Sequence, residues 1–240
     1  MKIALLGYGK MGKTIEAIAL KKGHEIILKI DKDNVAELTD KNLSKADVAI
    51  EFSTPQTVYN NILQCFKNNI PIVVGTTAWQ DKLEDVIHQC KTKDQTLFYA
   101  SNFSIGVNIF FQINKKLAKL MESQSQYDVQ MEEIHHLEKL DSPSGTGITL
   151  AEGILENISR KSNWVNDSST KLNELSIISK REANVPGTHT IFYNSDVDSI
   201  EIKHTAHSRA GFASGAVLAA EWLIGKKGIF GMNDLLNLND

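Results

Sequence analysis

Residues 133–147 of this 240-residue sequence hold several side chains that can move protons or bind anions. His135 and His136 supply imidazoles, which exchange protons near neutral pH, and Lys139 adds a positive charge nearby. The run 144–147 (Ser-Gly-Thr-Gly) precedes apolar residues at helical spacing, so it predicts a turn that leads into a helix. Because the first backbone N–H groups of a helix have no acceptor inside it, such a turn favours a bound anion. We predict a pocket that holds a carboxylate and protonates the molecule carrying it.

Two other interpretations of this segment have to be weighed. A lone histidine is more often a hydrogen-bonded structural residue, and a Ser-Pro-Ser-Gly run is more often a plain turn. Adjacent histidines also suggest a metal site, but neighbouring residues on a strand point to opposite faces, and no cysteine or third histidine lies at ligand spacing. The sequence therefore predicts no metal. The co-occurrence of these residues between a strand and a helix favours a ligand site.

A glycine fingerprint typical of dinucleotide binding follows the first predicted strand. Residues 2–6 form a short apolar run, and helical spacing begins shortly afterwards. Between them lie Gly7, Gly9 and Gly12 in the spacing G-x-G-x-x-G. In this context the first glycine permits a tight turn, the second lets a pyrophosphate approach the backbone, and the third lets the helix pack on the strand. The segment predicts a dinucleotide-binding helix start.

The next predicted strand, 25–30, ends in Asp31, where a carboxylate would accept hydrogen bonds from the adenosine ribose. Asp31 would repel a 2′-phosphate, whereas Lys32 would attract one. The predicted cofactor is therefore NADH or NADPH, with NADH favoured by Asp31.

Further strands predicted in the first half alternate with helical segments and lie at 46–52, 70–74 and 97–100. A helix start is predicted at Thr54 and Pro55. This alternation predicts a Rossmann-like, doubly wound parallel sheet, whose ligands bind beyond the carboxyl ends of the strands. The residues at four strand ends form the predicted cofactor-binding set: Gly7, Tyr8, Gly9, Lys10, Met11, Gly12, Asp31, Gly75, Thr76, Thr77, Ala100, Ser101, Asn102 and Phe103.

The second half shows a different pattern of predicted elements, with consecutive strands and few helices. Strands are predicted at 127–136, 175–182, 188–194 and 197–206, helices at 105–121, 146–160 and 216–224, and a loop at 163–171. Consecutive strands joined by short loops predict a mixed or antiparallel sheet, hence an α+β domain. We predict a dinucleotide-binding domain of residues 1–104 and 216–240, and a second domain of residues 105–215.

Composition limits the possible classes of protein. Hydrophobic residues make up 42% and charged residues 23%, which is ordinary for a soluble globular protein. The net charge of −3 gives no basic field toward nucleic acid or an anionic membrane. The sequence shows no cationic leader and no apolar run of about 18 residues, so we expect a cytoplasmic protein. Cys65 and Cys90 lie in helix-like segments without metal or redox spacing.

Taken together, the motifs resemble those of the dihydrodipicolinate reductases, enzymes of the diaminopimelate route to lysine in bacteria and plants. The resemblance runs nearly end to end and rests on residues 7–12, 75–77, 101–108, 133–146 and 202–216. The block His-His-x-x-Lys-x-Asp-x-Pro-Ser-Gly-Thr is highly specific to that family.

The resemblance implies a reductase that transfers hydride from NADH or NADPH to a cyclic imine dicarboxylate, giving tetrahydrodipicolinate. It implies that His135 is a catalytic proton donor or acceptor and that Lys139 is a catalytic proton donor. The substrate-binding residues that it implies are His136, Ser144, Gly145 and Thr146. It also implies a homotetramer whose contacts are made by the second domain. The residues themselves do not decide which of His135, His136 and Lys139 delivers the proton.

Two other functions are compatible with the same fold. Another two-domain dehydrogenase, such as one acting on an amino-acid semialdehyde, would need a nucleophilic cysteine, and neither Cys65 nor Cys90 has that setting. A protein that binds NAD(H) without turnover would bind the cofactor but would not oxidise it in the presence of substrate.

Overall fold

A computed structural model describes residues 1–238 and divides the chain into two compact units. The first unit comprises Met1–Ile105 and the chain from Ala210 onward, and the second comprises Gly106–Arg209. The second unit thus ends at Arg209, whereas the sequence analysis predicted its end at residue 215. Each unit is built on its own sheet.

In chain order the elements are β1 (Lys2–Leu6), α1 (Lys10–Lys21), β2 (Glu25–Ile30), α2 (Asp40–Leu43), β3 (Val48–Glu51), α3 (Val58–Lys67), β4 (Ile72–Val74), α4 (Leu83–Thr92), β5 (Thr96–Tyr99), α5 (Ile105–Met121), β6 (Asp128–His135), α6 (Gly145–Leu155), β7 (Asn163–Val165), β8 (Glu174–Arg181), β9 (Gly187–Asn194), β10 (Ser199–Ala206), α7 (Ala210–Leu223), β11 (Gly228–Phe230) and α8 (Met232–Leu236). No helix among residues 1–238 is long and apolar enough to cross a membrane.

The first unit contains a parallel sheet with the strand order β11-β5-β4-β3-β1-β2. The five strands predicted in the first half are confirmed, whereas β11 was not predicted because three residues are too short to show a period. β1 pairs with β2 on one side and with β3 on the other. The strand order therefore reverses at β1, since β2 lies on one side of it and β3 on the other. Sheets of this kind bind ligands at such a switch point, beyond the carboxyl ends of the strands.

Both faces of this sheet are covered, as a doubly wound fold requires. Because side chains alternate along a strand, Ile3 and Leu5 join the core formed with α1 and α7. Ala4 and Leu6 join the opposite core, formed with α3 and α4. The predicted α/β class is confirmed.

The last long helix, α7, begins before the predicted residue 216. Gly211 and Gly215 both lie inside the helix. A Cβ at Gly215 would overlap the carbonyl oxygen of Phe103, so that this glycine permits close packing of α7 on the loop after β5. The predicted start was too late because the contact of Gly215 with Phe103 is tertiary, whereas glycine by itself weakens a helix.

The helix start predicted at Thr54 and Pro55 is also wrong, since α3 begins at Val58. The Thr57 backbone N–H donates to the Thr54 carbonyl at 3.1 Å, which closes a turn before the helix. The Thr57 hydroxyl lies 2.8 Å from that of Ser53 and 3.0 Å from that of Thr54. These hydroxyls bind one another, and none caps the helix through its side chain.

The second unit holds a mixed sheet with the order β10-β9-β6-β8-β7, which confirms the predicted class. β9 is antiparallel to β10 and β6, and β8 is parallel to β6 and β7. Helices α5 and α6 contribute Phe110, Leu150 and Ile154 to a core with the apolar residues of the sheet. The predicted loop at 163–171 contains β7, a three-residue edge strand, and the helix predicted to reach residue 160 ends at Leu155.

Candidate active site

The glycine fingerprint adopts the geometry of a phosphate-binding turn between β1 and α1. Gly7 has φ +101°, and a Cβ there would overlap the Phe52 carbonyl oxygen. A Cβ at Gly12 would overlap the carbonyl oxygen of Gly7, whereas a Cβ at Gly9 would meet nothing within 4 Å. Two glycines are therefore required by the packing of the protein itself, and the third leaves open space at the start of a helix. This arrangement fits the pyrophosphate of a dinucleotide.

A cavity of about 280 Å³ lies beside this turn. Its wall comprises Gly7, Tyr8, Gly9, Ile30, Asp31, Lys32, Val35, Phe52, Ser53, Thr54, Thr57 and Asn61. The Asp31 carboxylate accepts a hydrogen bond from the Lys32 backbone N–H at 2.8 Å. The structure thus brings the carboxylate predicted for the ribose and the neighbouring ammonium to one wall, together with two of the fingerprint glycines.

Other residues of the predicted cofactor set lie outside the wall of this cavity. In the part of the chain that the structure describes they are Lys10, Met11, Gly12, Gly75, Thr76, Thr77, Ala100, Ser101, Asn102 and Phe103. Lys10 is exposed on α1, and Met11 packs against the core. The Thr76 hydroxyl accepts a hydrogen bond from the Ser53 backbone N–H at 2.8 Å, so the loop after β4 supports the cavity wall from behind.

The loop after β5 contributes to the core through Phe103. Its ring lies 5.6 Å from that of Phe52 and 5.7 Å from that of Phe98, measured between centroids. Phe103 is 2% exposed, so that it belongs to the core and not to the cavity wall.

Glu51 is a residue that the sequence analysis did not single out. It ends β3, is fully buried, and accepts hydrogen bonds from the Ser53 hydroxyl and, at 3.2 Å, from the Asn61 amide. Burial raises the pKa of Glu51 despite these donors. Since Ser53 and Asn61 line the cavity, Glu51 holds part of its wall in place. An acid at the end of an apolar strand was the signal available in the sequence.

In the second unit, His135 and His136 point to opposite sides of the strand end. His135 is 6% exposed, and its ring lies 5.1 Å from that of His189 between centroids. Burial is the main cause that lowers the pKa of His135 to about 4; His189 acts in the same direction and Glu133 opposes the shift. Among the residues that the structure describes, His135 Nδ1 has no hydrogen-bond partner. His135 is therefore a neutral, buried imidazole at neutral pH.

His136 lies on the accessible side. Its Nδ1 atom is 3.0 Å from a Glu138 carboxylate oxygen. It lines a second cavity, of about 260 Å³, together with Asn184, Val185, Pro186 and Arg209. Arg209 falls in a segment that carries the family resemblance, but the sequence analysis gave it no role. Its guanidinium adds a possible carboxylate-binding group beside His136.

Lys139 lies on the loop that follows the histidines. Its Nζ atom is 2.8 and 2.9 Å from the two carboxylate oxygens of Asp141, and this pairing lowers the pKa of Asp141. Arg181 donates to the Asp141 carbonyl at 2.7 Å and to the Lys139 carbonyl at 3.3 Å. Because Arg181 pairs in register with His135, it ties the loop to the end of the sheet.

The predicted turn and helix start are present at α6. The Ser144 hydroxyl caps the helix by accepting from the Gly147 backbone N–H at 3.0 Å, and it donates to Glu133 Oε2 at 2.6 Å. Ser144 is 3% exposed and caps the helix, and its contact with substrate stays a prediction. Gly145 is exposed, and a Cβ there would meet nothing within 4 Å. Gly145 and Thr146 therefore begin the helix at an accessible position.

Glu133, His135 and His189 offer potential metal-ligand atoms that all lie within 4.8 Å of one another. Spacing in the sequence missed this group because His189 lies on β9, far along the chain. The Glu133 carboxylate is already occupied by hydrogen bonds from Ser144 and lies 2.9 Å from the Ser179 hydroxyl. A metal ion would have to displace these contacts, so we assign none here.

Comparison with known proteins gives two family matches that together span most of the chain. The model described as "Dihydrodipicolinate reductase, N-terminus" matches residues 1–103, and "Dihydrodipicolinate reductase, C-terminus" matches residues 106–236. A 4-hydroxy-tetrahydrodipicolinate reductase of Christiangramia forsetii is 54% identical over 237 residues, which is 99% of this chain and 98% of that protein. One from Methanoregula boonei is 34% identical over 81% of this chain and 76% of that protein.

Among solved structures, the dipicolinate-bound dihydrodipicolinate reductase from Paenisporosarcina sp. TG-14 is similar to this chain with a TM-score of 0.76 and 23% identity. The similarity covers 96% of this chain and 97% of that one, and it shows a shared fold.

Proposed function

The chain belongs to the dihydrodipicolinate reductase family, and from this premise we propose how its residues perform the reaction of a 4-hydroxy-tetrahydrodipicolinate reductase. This is an NAD(P)H-dependent oxidoreductase of the diaminopimelate route to lysine that acts on CH or CH2 groups. The observation that carries the proposal is the segment 135–146. It combines a neutral buried imidazole, an ammonium and an accessible helix start in one loop of the second unit.

The first unit holds the dinucleotide in this proposal. Gly7, Gly9 and the start of α1 receive the pyrophosphate, and Asp31 accepts hydrogen bonds from the ribose. When bound, the reduced nicotinamide supplies the hydride. We propose NADH as the preferred cofactor because the Asp31 carboxylate lies on the cavity wall and would repel a 2′-phosphate.

The second unit binds the dicarboxylate substrate in this proposal. The N–H groups at Gly145 and Thr146 bind one carboxylate at the start of α6, where the helix dipole favours an anion. His136 and Arg209, which line one cavity, are placed to bind a carboxylate as well. The dipicolinate bound to the Paenisporosarcina reductase supports a planar dicarboxylate as ligand.

Hydride addition to a conjugated imine leaves an enamine that must take up a proton. His135 has a pKa of about 4, so it is uncharged at neutral pH before substrate binds and does not act as an imidazolium acid. Lys139 is held by Asp141 and by the loop contacts of Arg181, which fix its position. We therefore propose Lys139 as the proton donor, with the neutral His135 as a hydrogen-bonding partner of the substrate.

The semialdehyde dehydrogenase alternative is disfavoured by the two cysteines. Cys65 and Cys90 are buried in α3 and α4, and burial raises the pKa of both thiols. A nucleophilic cysteine needs the opposite, an accessible thiol with a lowered pKa.

The proposal is tested by following NADH absorbance while a synthase generates the substrate from pyruvate and aspartate semialdehyde. We expect oxidation that depends on the synthase and saturates with substrate. Cofactor binding without oxidation would instead favour a protein that senses NAD(H). The homotetramer and the cytoplasmic location stay predictions, the first of which light scattering would test.

A further inference from the structure

A buried carboxylate lies directly behind the start of α6. Glu133 is 1% exposed, and its oxygens accept from the Ser144 backbone N–H at 2.9 Å and from the Ser144 hydroxyl at 2.6 Å. The Ser179 hydroxyl lies 2.9 Å away, and His189 Nε2 lies 3.5 Å away. Glu133 and His189 are directly opposed partners of the antiparallel β6–β9 pair. The sheet therefore supplies a fixed base against which the helix start is held.

The hydrogen bonds of this cluster can be assigned to donors and acceptors. Burial acts to raise the pKa of Glu133, but the neighbouring His189 imidazole and the hydrogen bonds from Ser144 outweigh it and lower the pKa to about 2. The carboxylate is thus acceptor-only, and the single Ser144 hydroxyl proton goes to it. Since the Ser144 oxygen can then only accept, His189 Nε2 at 3.1 Å must carry a hydrogen and donate it.

The carboxylate also sets how closely the helix approaches the sheet. A Cβ at Gly147, in the first turn of α6, would lie 2.6 Å from Glu133 Oε2. The backbone of that turn therefore packs against the carboxylate itself. Any shift of Glu133 is passed to the N–H groups that begin the helix.

We propose that Glu133 and His189 are positioning residues that fix the start of α6 so that Gly145 and Thr146 can bind a substrate carboxylate. This inference rests on the proposed function. By charge alone Glu133 would repel an anion bound nearby, so its contribution comes through position. Because the bound carboxylate does not react, its binding is the same in the ground and transition states, and its loss raises KM more than it lowers kcat.

The first test compares Glu133→Gln with Glu132→Gln. Glutamine keeps the shape but turns one oxygen into a donor that faces other donors. We expect the substrate KM and the dipicolinate Kd to rise at least about tenfold, as for a lost charge-assisted hydrogen bond, with kcat within about threefold and an unchanged NADH Kd. Glu132, on the same strand, pairs with Lys180 at 2.5 Å, and its variant should keep all four values.

The second test compares two variants at His189. It tests the positioning role even if Glu133→Gln does not fold. His189→Gln keeps an N–H near the Nε2 position and should retain the substrate KM within about threefold, as expected when the hydrogen bond is kept. His189→Leu has no donor and should raise KM as Glu133→Gln does. A merely structural role predicts equal damage from the two His189 variants.

The outcomes distinguish failure of the positioning role from failure of the proposed function. A Glu133→Gln enzyme with wild-type KM, or with reduced kcat at unchanged KM, would overturn the positioning role. If the wild type bound dipicolinate but did not oxidise NADH, the proposed function would fail, and dipicolinate affinity would still decide the role of Glu133. A wild type without dipicolinate affinity would overturn both.

Discussion

Replacing His135 by glutamine should remove part of the acid sensitivity of the fold. The pKa of His135 is about 4 in the folded protein, against an ordinary value of 6.5. A lowered pKa means that the folded state binds fewer protons than the unfolded state between these two values. The stability that the neutral His135 contributes is therefore fully present above pH 6.5 and is lost as the pH falls from 6.5 toward 4.

The size of the effect follows from the two pKa values. Between pH 7 and pH 5 the unfolded imidazole takes up most of a proton, whereas the folded one stays largely neutral. Linkage then gives a loss of about 2 kcal/mol in the free energy of unfolding from this one group. Burial is the main cause, with contributions from His189, Lys139 and Arg181, and Glu133 opposes them.

The measurement is urea denaturation of wild type and His135→Gln at pH 7 and pH 5. The quantity compared is the change in the free energy of unfolding between the two pH values, so any overall cost of the substitution cancels. We expect that change to be smaller in the variant by about 2 kcal/mol. Exposed His88 on α4 offers a control for a general effect of replacing histidine by glutamine. Equal pH dependence in wild type and His135→Gln would refute a neutral, buried His135.

Three further outcomes are expected. Lys139→Met should lower kcat by about 10²-fold or more, as for lost proton transfer, and should retain NADH affinity. The control Lys180→Met should keep the wild-type kcat. A wild-type kcat in Lys139→Met would exclude Lys139 as proton donor. Gly12→Ala should weaken NADH binding at least about tenfold and lower the Tm, because its Cβ would overlap the Gly7 carbonyl oxygen. Calorimetry that shows an unchanged Tm and unchanged NADH binding would contradict that packing. Asp31→Ala should shift the ratio of kcat/KM values toward NADPH, and an unchanged ratio would mean that another residue contacts the ribose.

The sheet of the first unit was largely predictable because its strands are apolar on both faces and alternate with helices. The strands that were missed, β7 and β11, have three residues each, too few to show a period. The first residues of α7 were missed for another reason. The packing of Gly215 against Phe103 depends on a tertiary contact that no local pattern contains.

The residues of the candidate site also divide into those visible in the local sequence and those that depend on tertiary contacts. Residues 135–147 are contiguous, and their chemistry was visible as a motif. His189 was not, because only the pairing of β6 with β9 places it opposite Glu133. A signal for Glu133 did exist, since it continues the buried alternation of Val129 and Met131. An acid on the buried face of a strand predicts a partner without identifying it.

Glu51 and Glu133 show why the sequence does not reveal the charge of such an acid. Both are almost fully buried near the carboxyl end of a strand, and each binds a serine of the following loop. Burial raises the pKa of Glu51, whereas the pKa of Glu133 falls to about 2. The two acids are similarly unexposed but shift in opposite directions, so the balance between burial and the surrounding donors decides the sign of the shift. Glu133 accepts from the backbone N–H and hydroxyl of Ser144 and from the hydroxyl of Ser179, and the His189 imidazole lies 3.5 Å away. These groups come together only when the second unit folds.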